Sequence, residues 1–235
     1  MVKAMLTFDQ KKSNVDLWII ITATFVALGI YSGFQGELNT FAKDQDASVL
    51  LRTLVSALTQ FAVAGLGITL VAIIRKESFI SFGLRSKGIV ASVLLSLLCF
   101  VPYIAFTVAT EEGVTYQPFQ SVWITEDILA DGFLVNVLGM VLVAGAWGFF
   151  EGFNYVVISD KINRRYPSPN RWLNWGAIIC AVMCILIHGM IGVTAKGALE
   201  MITVLLGIYG MLLVKDYTRN AWGSVFLFVF VWNAL

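Results

Sequence analysis

Seven long apolar runs, each bounded by short polar stretches, dominate the hydrophobic pattern of this chain. They are 15–34, 49–74, 89–110, 132–158, 172–193, 197–214 and 221–235. A membrane-crossing helix needs about 20 predominantly apolar residues, and each run comes near that length. The shortest is the last, and the fourth is long enough to tilt or to pass beyond the interface. The pattern predicts an all-α, polytopic transmembrane bundle of about seven spans. With no internal repeat, low-complexity tract or linker in between, the bundle reads as one membrane-embedded domain over residues 1–235.

The polar stretches alternate in charge. The N-terminus (Lys3, Lys11, Lys12), the stretch from Arg75 to Lys87, the stretch from Lys161 to Arg171, and Lys215 with Arg219 hold most of the 16 basic residues. The stretches between them hold Lys43, Arg52 and Lys196. Basic loops stay on the cytoplasmic side. A multi-pass plasma-membrane protein with its N-terminus in the cytoplasm and its C-terminus outside is therefore expected, and seven spans agree with that parity. The first apolar run is a full span with no small-residue cleavage site behind it, so it reads as a retained anchor.

Composition strengthens the membrane assignment. Of 235 residues, 58% are hydrophobic and 13% charged, against about 45–50% and 25% in soluble domains; mean hydropathy is +0.81. The net charge of +1 points to no nucleic-acid partner. All three cysteines (Cys99, Cys180, Cys184) lie inside apolar runs, which argues against a disulfide framework. The stretch from Glu111 to Asp131 is acidic (Glu111, Glu112, Glu126, Asp127, Asp131) and interleaved with Tyr116, Phe119, Trp123 and Ile128. It reads as a solvated loop lying partly on the membrane surface.

Candidate chemistry comes from polar residues inside the apolar runs. A charged side chain at mid-membrane costs about 2.5–3.5 kcal/mol on insertion scales and normally faces a partner in the bundle. Glu151 is such a residue. At helical spacing Trp147, Glu151, Asn154 and Tyr155 share one face. His188, the only histidine, and Asn233 lie in later runs. At 1.5 Å per residue, His188 should sit about 20–24 Å and Asn233 about 20 Å from the basic end, but Glu151 only about 12 Å. The levels differ by about 8–12 Å unless tilt intervenes. A Glu151–His188 contact would be either a general base with its helper or a buried hydrogen-bonded pair. Cys180, Cys184 and His188 form a row along one helix face, but they are spread over about 12 Å. They are therefore better placed for packing between helices than for zinc, which needs converging ligands. Glu200 should be solvated at the start of the sixth run, and Gly207 and Gly210 allow close helix approach.

Several motifs resemble those of the CPBP family, the CAAX proteases and bacteriocin-processing membrane proteins. Ser81–Phe82–Gly83–Leu84–Arg85 matches a short stretch frequent between two spans of that family. Phe150–Glu151–Gly152–Phe153–Asn154–Tyr155, with Lys161, Arg164 and Arg165 behind it, stands where the family carries Glu-Glu-x-x-x-Arg. Cys184–Ile185–Leu186–Ile187–His188 resembles its Phe-x-x-x-His. Val229–Phe230–Val231–Trp232–Asn233, after Gly223–Ser224, stands where the family carries His-x-x-x-Asn. In the best register, Phe150 replaces the first glutamate, Tyr155 the arginine and Val229 the second histidine.

The resemblance implies a CAAX-protease-like fold. It implies candidate catalytic residues Glu151, His188 and Asn233, and a substrate pocket with Asn154, Tyr155 and Trp147. One glutamate and one histidine leave a zinc site short of protein ligands, so no cofactor is expected. The implied role is that of a degenerate member, a pseudoenzyme that holds a membrane-embedded or lipidated peptide or protein within the lipid bilayer. The alternatives are an active intramembrane peptidase using Glu151 and His188, and a small transporter.

Overall fold

A computed structural model describes residues 5–110 and 115–235. Glu111 and Glu112 of the acidic stretch, and Lys3 of the N-terminus, lie outside the described residues. Among the described residues the chain is helical with no strand. Four helices are long and apolar enough to cross a membrane, or five if the bent pair after residue 48 counts as one span.

The first span, α1 (Phe8–Gly33), starts in a capping box in which the Thr7 hydroxyl accepts from the Gln10 N–H. A short helix, α2 (Gln35–Ala42), follows. The second run folds as α3 (Val49–Ala64) and α4 (Leu66–Arg75), bent by 60° at Gly65. A side chain at that hinge would meet the rings of Phe61 at 2.3 Å and Phe150 at 2.8 Å, which stack edge to face across it. The third run is α5 (Ile89–Thr110).

Between α4 and α5 the Ser81–Arg85 stretch makes a tight turn. Gly83 has φ +105°, and its carbonyl accepts from the Ala221 N–H at 2.9 Å. Phe82 is buried below the Lys161 ammonium, 5.2 Å from its ring centre.

The acidic stretch departs from a surface loop. Phe119, Val122, Ile124 and Ile128 are buried and pack with Val143, Val49 and Trp147. Their burial removes more apolar area from water than a surface position would, at roughly 25 cal/mol per Å². Thr125 is buried with them and its hydroxyl donates to the Phe119 carbonyl at 2.8 Å, Gln120 and Glu126 face out, and α6 (Thr125–Ala130) forms within the stretch. Asp127 is also bound, by buried Arg52 at 2.7 Å.

The fourth run is longer than its hydrophobicity predicts. α7 (Phe133–Val143) passes through a π-helical segment, Ala144–Phe150, into α8 (Glu151–Arg165), so the helix continues seven residues past Ile158. The apolar pattern ends at Ile158 because the last two turns are polar yet embedded. Lys161 is 1% exposed, paired with Asp16 and Glu77 at 2.8 Å each. Arg75 also binds Asp16, and Lys12 binds Glu77. α8 is the central helix, with Phe153, Val156 and Val157 sealed from solvent.

The fifth and seventh runs give helices shorter than the runs themselves. α9 (Trp175–Ile187) and α11 (Trp222–Leu227), which continues as a π segment over Phe228–Trp232, are both too short to cross alone. α10 (Ala195–Thr218) is full length. It lies close on α5, where Gly207 faces the Phe100 ring and Gly210 faces Cys99.

Candidate functional site

The site forms where α9 and the helix that begins with α11 end beside the first turn of α8, which runs on from α7 through the π segment. Asn174, the N-cap of α9, accepts from Asn163 of α8 at 2.7 Å and donates to Asp216 of α10 at 2.7 Å. Close contact of α8 and α9 is set by Gly176, where a Cβ would fall 2.2 Å from the Ser159 carbonyl oxygen. Counted from the Asn163–Asn174 level, Glu151 stands about 18 Å up and His188 about 21 Å up; from Asn220, Asn233 stands about 20 Å up. The height difference expected from the sequence therefore closes to about 3 Å. It arose from ending the fourth helix at Ile158, seven residues early.

Glu151 is 8% exposed. Its Oε1 lies 3.5 Å from His188 Nε2, and its Oε2 accepts from Gln60 Nε2 at 3.1 Å. The first contact is longer than an ordinary hydrogen bond, so Oε1 and Nε2 both retain capacity for a third group. His188 caps α9, and its ring meets Trp232 edge to face at 5.3 Å. A third of its side chain is exposed, against a tenth of the Glu151 side chain. The pair is thus open on the His188 side and closed on the Gln60 side.

The remaining candidates surround this pair in different ways. Tyr155, one turn below Glu151, is buried against Phe228 and hydrogen-bonded to Cys184. Asn154 has a buried side-chain oxygen with no partner. Asn233 is saturated: its amide donates to the carbonyls of Trp147 (3.3 Å) and Phe228 (3.0 Å), and its oxygen accepts from Ser121 (3.2 Å). Trp147 thus contributes its carbonyl here, while its side chain packs against the cluster of Phe119, Val122, Ile124, Ile128 and Val143. The π segment adds a residue to the turn, which is why Trp147 and Glu151 diverge from one helical face.

Sequence reasoning missed Gln60 and Ser121. Gln60 is the one amide in the second apolar run, and an uncharged amide in such a run signals a buried partner. Ser121 had no signal, because its stretch read as surface.

Zinc asks for three or four converging protein donors. Glu151 and His188 supply two. The Cys180 thiol instead donates to the Tyr155 carbonyl at 3.6 Å, and Cys184 is engaged by the Tyr155 hydroxyl. Among the described residues no three of His, Cys, Asp and Glu converge. The donor set does not fit zinc.

Two π segments flank the site, one leading into Glu151 and the other into Asn233, and they touch. A Cβ on Gly148 would fall 2.5 Å from Val229 Cγ2. Position 229 therefore faces the helix that carries Glu151, three residues before it, and places a methyl group there. π-bulges are costly in the backbone and concentrate at functional sites.

No protein-family model, no curated protein and no solved structure matches the chain. The helices define an apolar, all-helical protein of membrane-spanning composition.

Proposed function

We propose that this chain is a degenerate relative of the CAAX proteases and bacteriocin-processing membrane proteins. In this reading it is a seven-span plasma-membrane protein with its N-terminus in the cytoplasm and its C-terminus outside. It holds the hydrophobic segment or lipidated tail of a partner at Glu151 and His188 without cutting it.

The observation that carries the reading is the single Glu151–His188 contact, with Val229 packed on Gly148 where the resemblance calls for a second histidine. One carboxylate and one imidazole suffice to bind a polar group in hydrocarbon. The orphaned oxygen of Asn154, three residues from Glu151, adds an acceptor for a bound N–H or O–H. An unmet buried acceptor costs about 1–3 kcal/mol, which a bound donor recovers.

The endopeptidase alternative draws on the same pair, with Glu151 as base and His188 assisting. The test is incubation of purified protein in liposomes with a panel of membrane-anchored and prenylated peptides. Retention of a peptide without cleavage, lost in Glu151→Gln, is the expected result. Cleavage by wild type that Glu151→Gln abolishes would replace the binding role with a peptidase. Solute uptake into the liposomes would favour the transporter.

A further inference from the structure

α3 and α7 both begin where a polar stretch gives way to an apolar one. The stretch 43–48 precedes Val49, and Asp131 and Gly132 precede Phe133. α7 runs on into α8 as far as Arg165, so its start lies at the end of the bundle opposite Arg164 and Arg165. Between the two helix starts is a cavity of about 390 Å³, whose lining includes Asp46, Val49, Leu50, Arg52, Asp131 and Val135.

Arg52 is the buried charge of that lining, with its side chain 2% exposed. Both of its hydrogen bonds leave from Nη1, one to the Ala42 carbonyl at 3.2 Å and one to Asp127 at 2.7 Å. Its Nε is buried without a partner. The edge formed by Nε and Nη2, the side of a guanidinium that grips two oxygens of a phosphate at once, is therefore unused. An unmet buried donor is costly, and an anion in the cavity satisfies it. Val49 and Leu50 carry the first N–H groups of a 16-residue helix, which have no acceptor inside the helix and favour negative charge.

Charge narrows the choice of anion. Asp127 already balances Arg52, and Asp46 and Asp131 line the cavity with no ion pair among the described residues. One oxygen of Asp131 accepts from the Gly132 N–H at 2.6 Å, which leaves the other free. A plain anion meets surplus negative charge here. A phosphate joined to an ammonium group meets both signs, with oxygens for Arg52 and N–H donors for the two carboxylates. Leu54 and Leu138, four and three residues along from Leu50 and Val135, carry the two walls on and are 40% and 45% exposed.

We propose that the cavity holds the phosphoethanolamine headgroup of a membrane lipid. Its phosphate sits on the Nε–Nη2 edge of Arg52, its ammonium between Asp46 and Asp131, and its acyl chains along Leu54 and Leu138. A choline headgroup lacks the N–H donors and a glycerol headgroup lacks the positive charge, so each binds less tightly. The site depends on the membrane-spanning composition of the helices and not on the Glu151–His188 pair. Its failure and a failure to retain peptides at that pair are separate outcomes.

The test uses the full chain, delipidated in a neutral detergent. Dioleoyl phosphatidylethanolamine, phosphatidylcholine or phosphatidylglycerol is added at matched concentration, and bound lipid is counted by native mass spectrometry. One charge-assisted hydrogen bond corresponds to roughly tenfold in affinity, and the wild type should prefer the ethanolamine lipid over each of the others by that factor. Arg52→Lys keeps the charge but loses the bidentate edge, and should bring the ethanolamine lipid down to the level of the others. Asp46→Asn combined with Asp131→Asn, both at exposed carboxylates, should abolish the advantage over the glycerol lipid. Equal binding of the three lipids by wild type, or an unchanged preference in either folded variant, overturns the proposal. Should Arg52→Lys fail to fold, the double Asn variant decides. Soluble phosphoethanolamine should displace the lipid only at far higher concentration than the lipid itself; displacement at equal concentration overturns the assignment to a lipid in favour of a free phosphomonoester.

Discussion

The Gln60 amide donates to Glu151 Oε2 at 3.1 Å, tying the helix that precedes the Gly65 bend to the central helix α8. The two residues are 91 apart in sequence, so the bond joins the early and late halves of the bundle at the site. Gln60→Leu keeps the volume but removes the donor. Leaving a buried hydrogen-bonding group without its partner costs about 1–3 kcal/mol, and a loss of that order is expected in unfolding measured in detergent micelles. Glu151→Gln in the same chain should make the loss less than additive, since the two share one interaction. Strict additivity would mean that the contact carries no energy.

Gly176 sets the spacing of α8 and α9. A methyl group there would sit 2.2 Å from a backbone oxygen of Ser159, which cannot rotate away as a side chain can. Gly176→Ala should cost about 1–3 kcal/mol or more by overpacking, and should separate Glu151 from His188. Gly145→Ala, with nothing within 4 Å of the added atom, is the matched control and should be near neutral. Paired thermal melts of the two variants check this. Equal stability would show that the helix crossing yields.

At the basic end, burial raises the Glu77 carboxyl, but the hydrogen bonds and charges of Lys12 and Lys161 outweigh it and hold it below the usual value. A carboxyl lowered in the folded state stabilises above its unfolded value, about 4.3. That contribution is lost as pH falls through the lower folded value. Stability of the wild type should therefore drop on acidification below about pH 4.3, and Glu77→Gln should flatten that part of the profile. A pH series of melts on both chains reads the difference. Parallel profiles would remove Glu77 from the acid limb.

The apolar runs made the helical membrane class legible, because length and composition alone decide it. The meeting of Glu151 with His188 was legible for a related reason: a lone acid and a lone imidazole in hydrocarbon both need partners. The heights were misjudged because Asp160, Lys161 and Asn163 are polar yet embedded, and hydropathy reads such residues as the end of a span. The π turn before Glu151 was hidden, since one extra residue in a turn leaves no mark in Ala144–Phe150. The burial of Phe119 and Ile128 was masked by the carboxylates spaced among them. The short reach of α9 was concealed by Met190, Ile191 and Val193, which extend the apolar run beyond the helix.

The charge cluster around Lys161 also bears on how the protein is made. Only 11% of the apolar stretch of α1 is buried within the bundle, and the Asp16 carboxylate adds to the packing of Ile20 on Gly67 and to the contacts of Lys12 with Glu77 and of Thr24 with the Val63 carbonyl. That carboxylate meets Arg75 after a further 59 residues have left the ribosome. Glu77 then waits another 84 for Lys161, roughly 4–17 s at about 5–20 residues per second. The first helix can thus engage α3 and α4 through Asp16–Arg75, Lys12–Glu77 and Thr24 on the Val63 carbonyl while the chain is still short, and the Lys161 contacts are added when α8 is made.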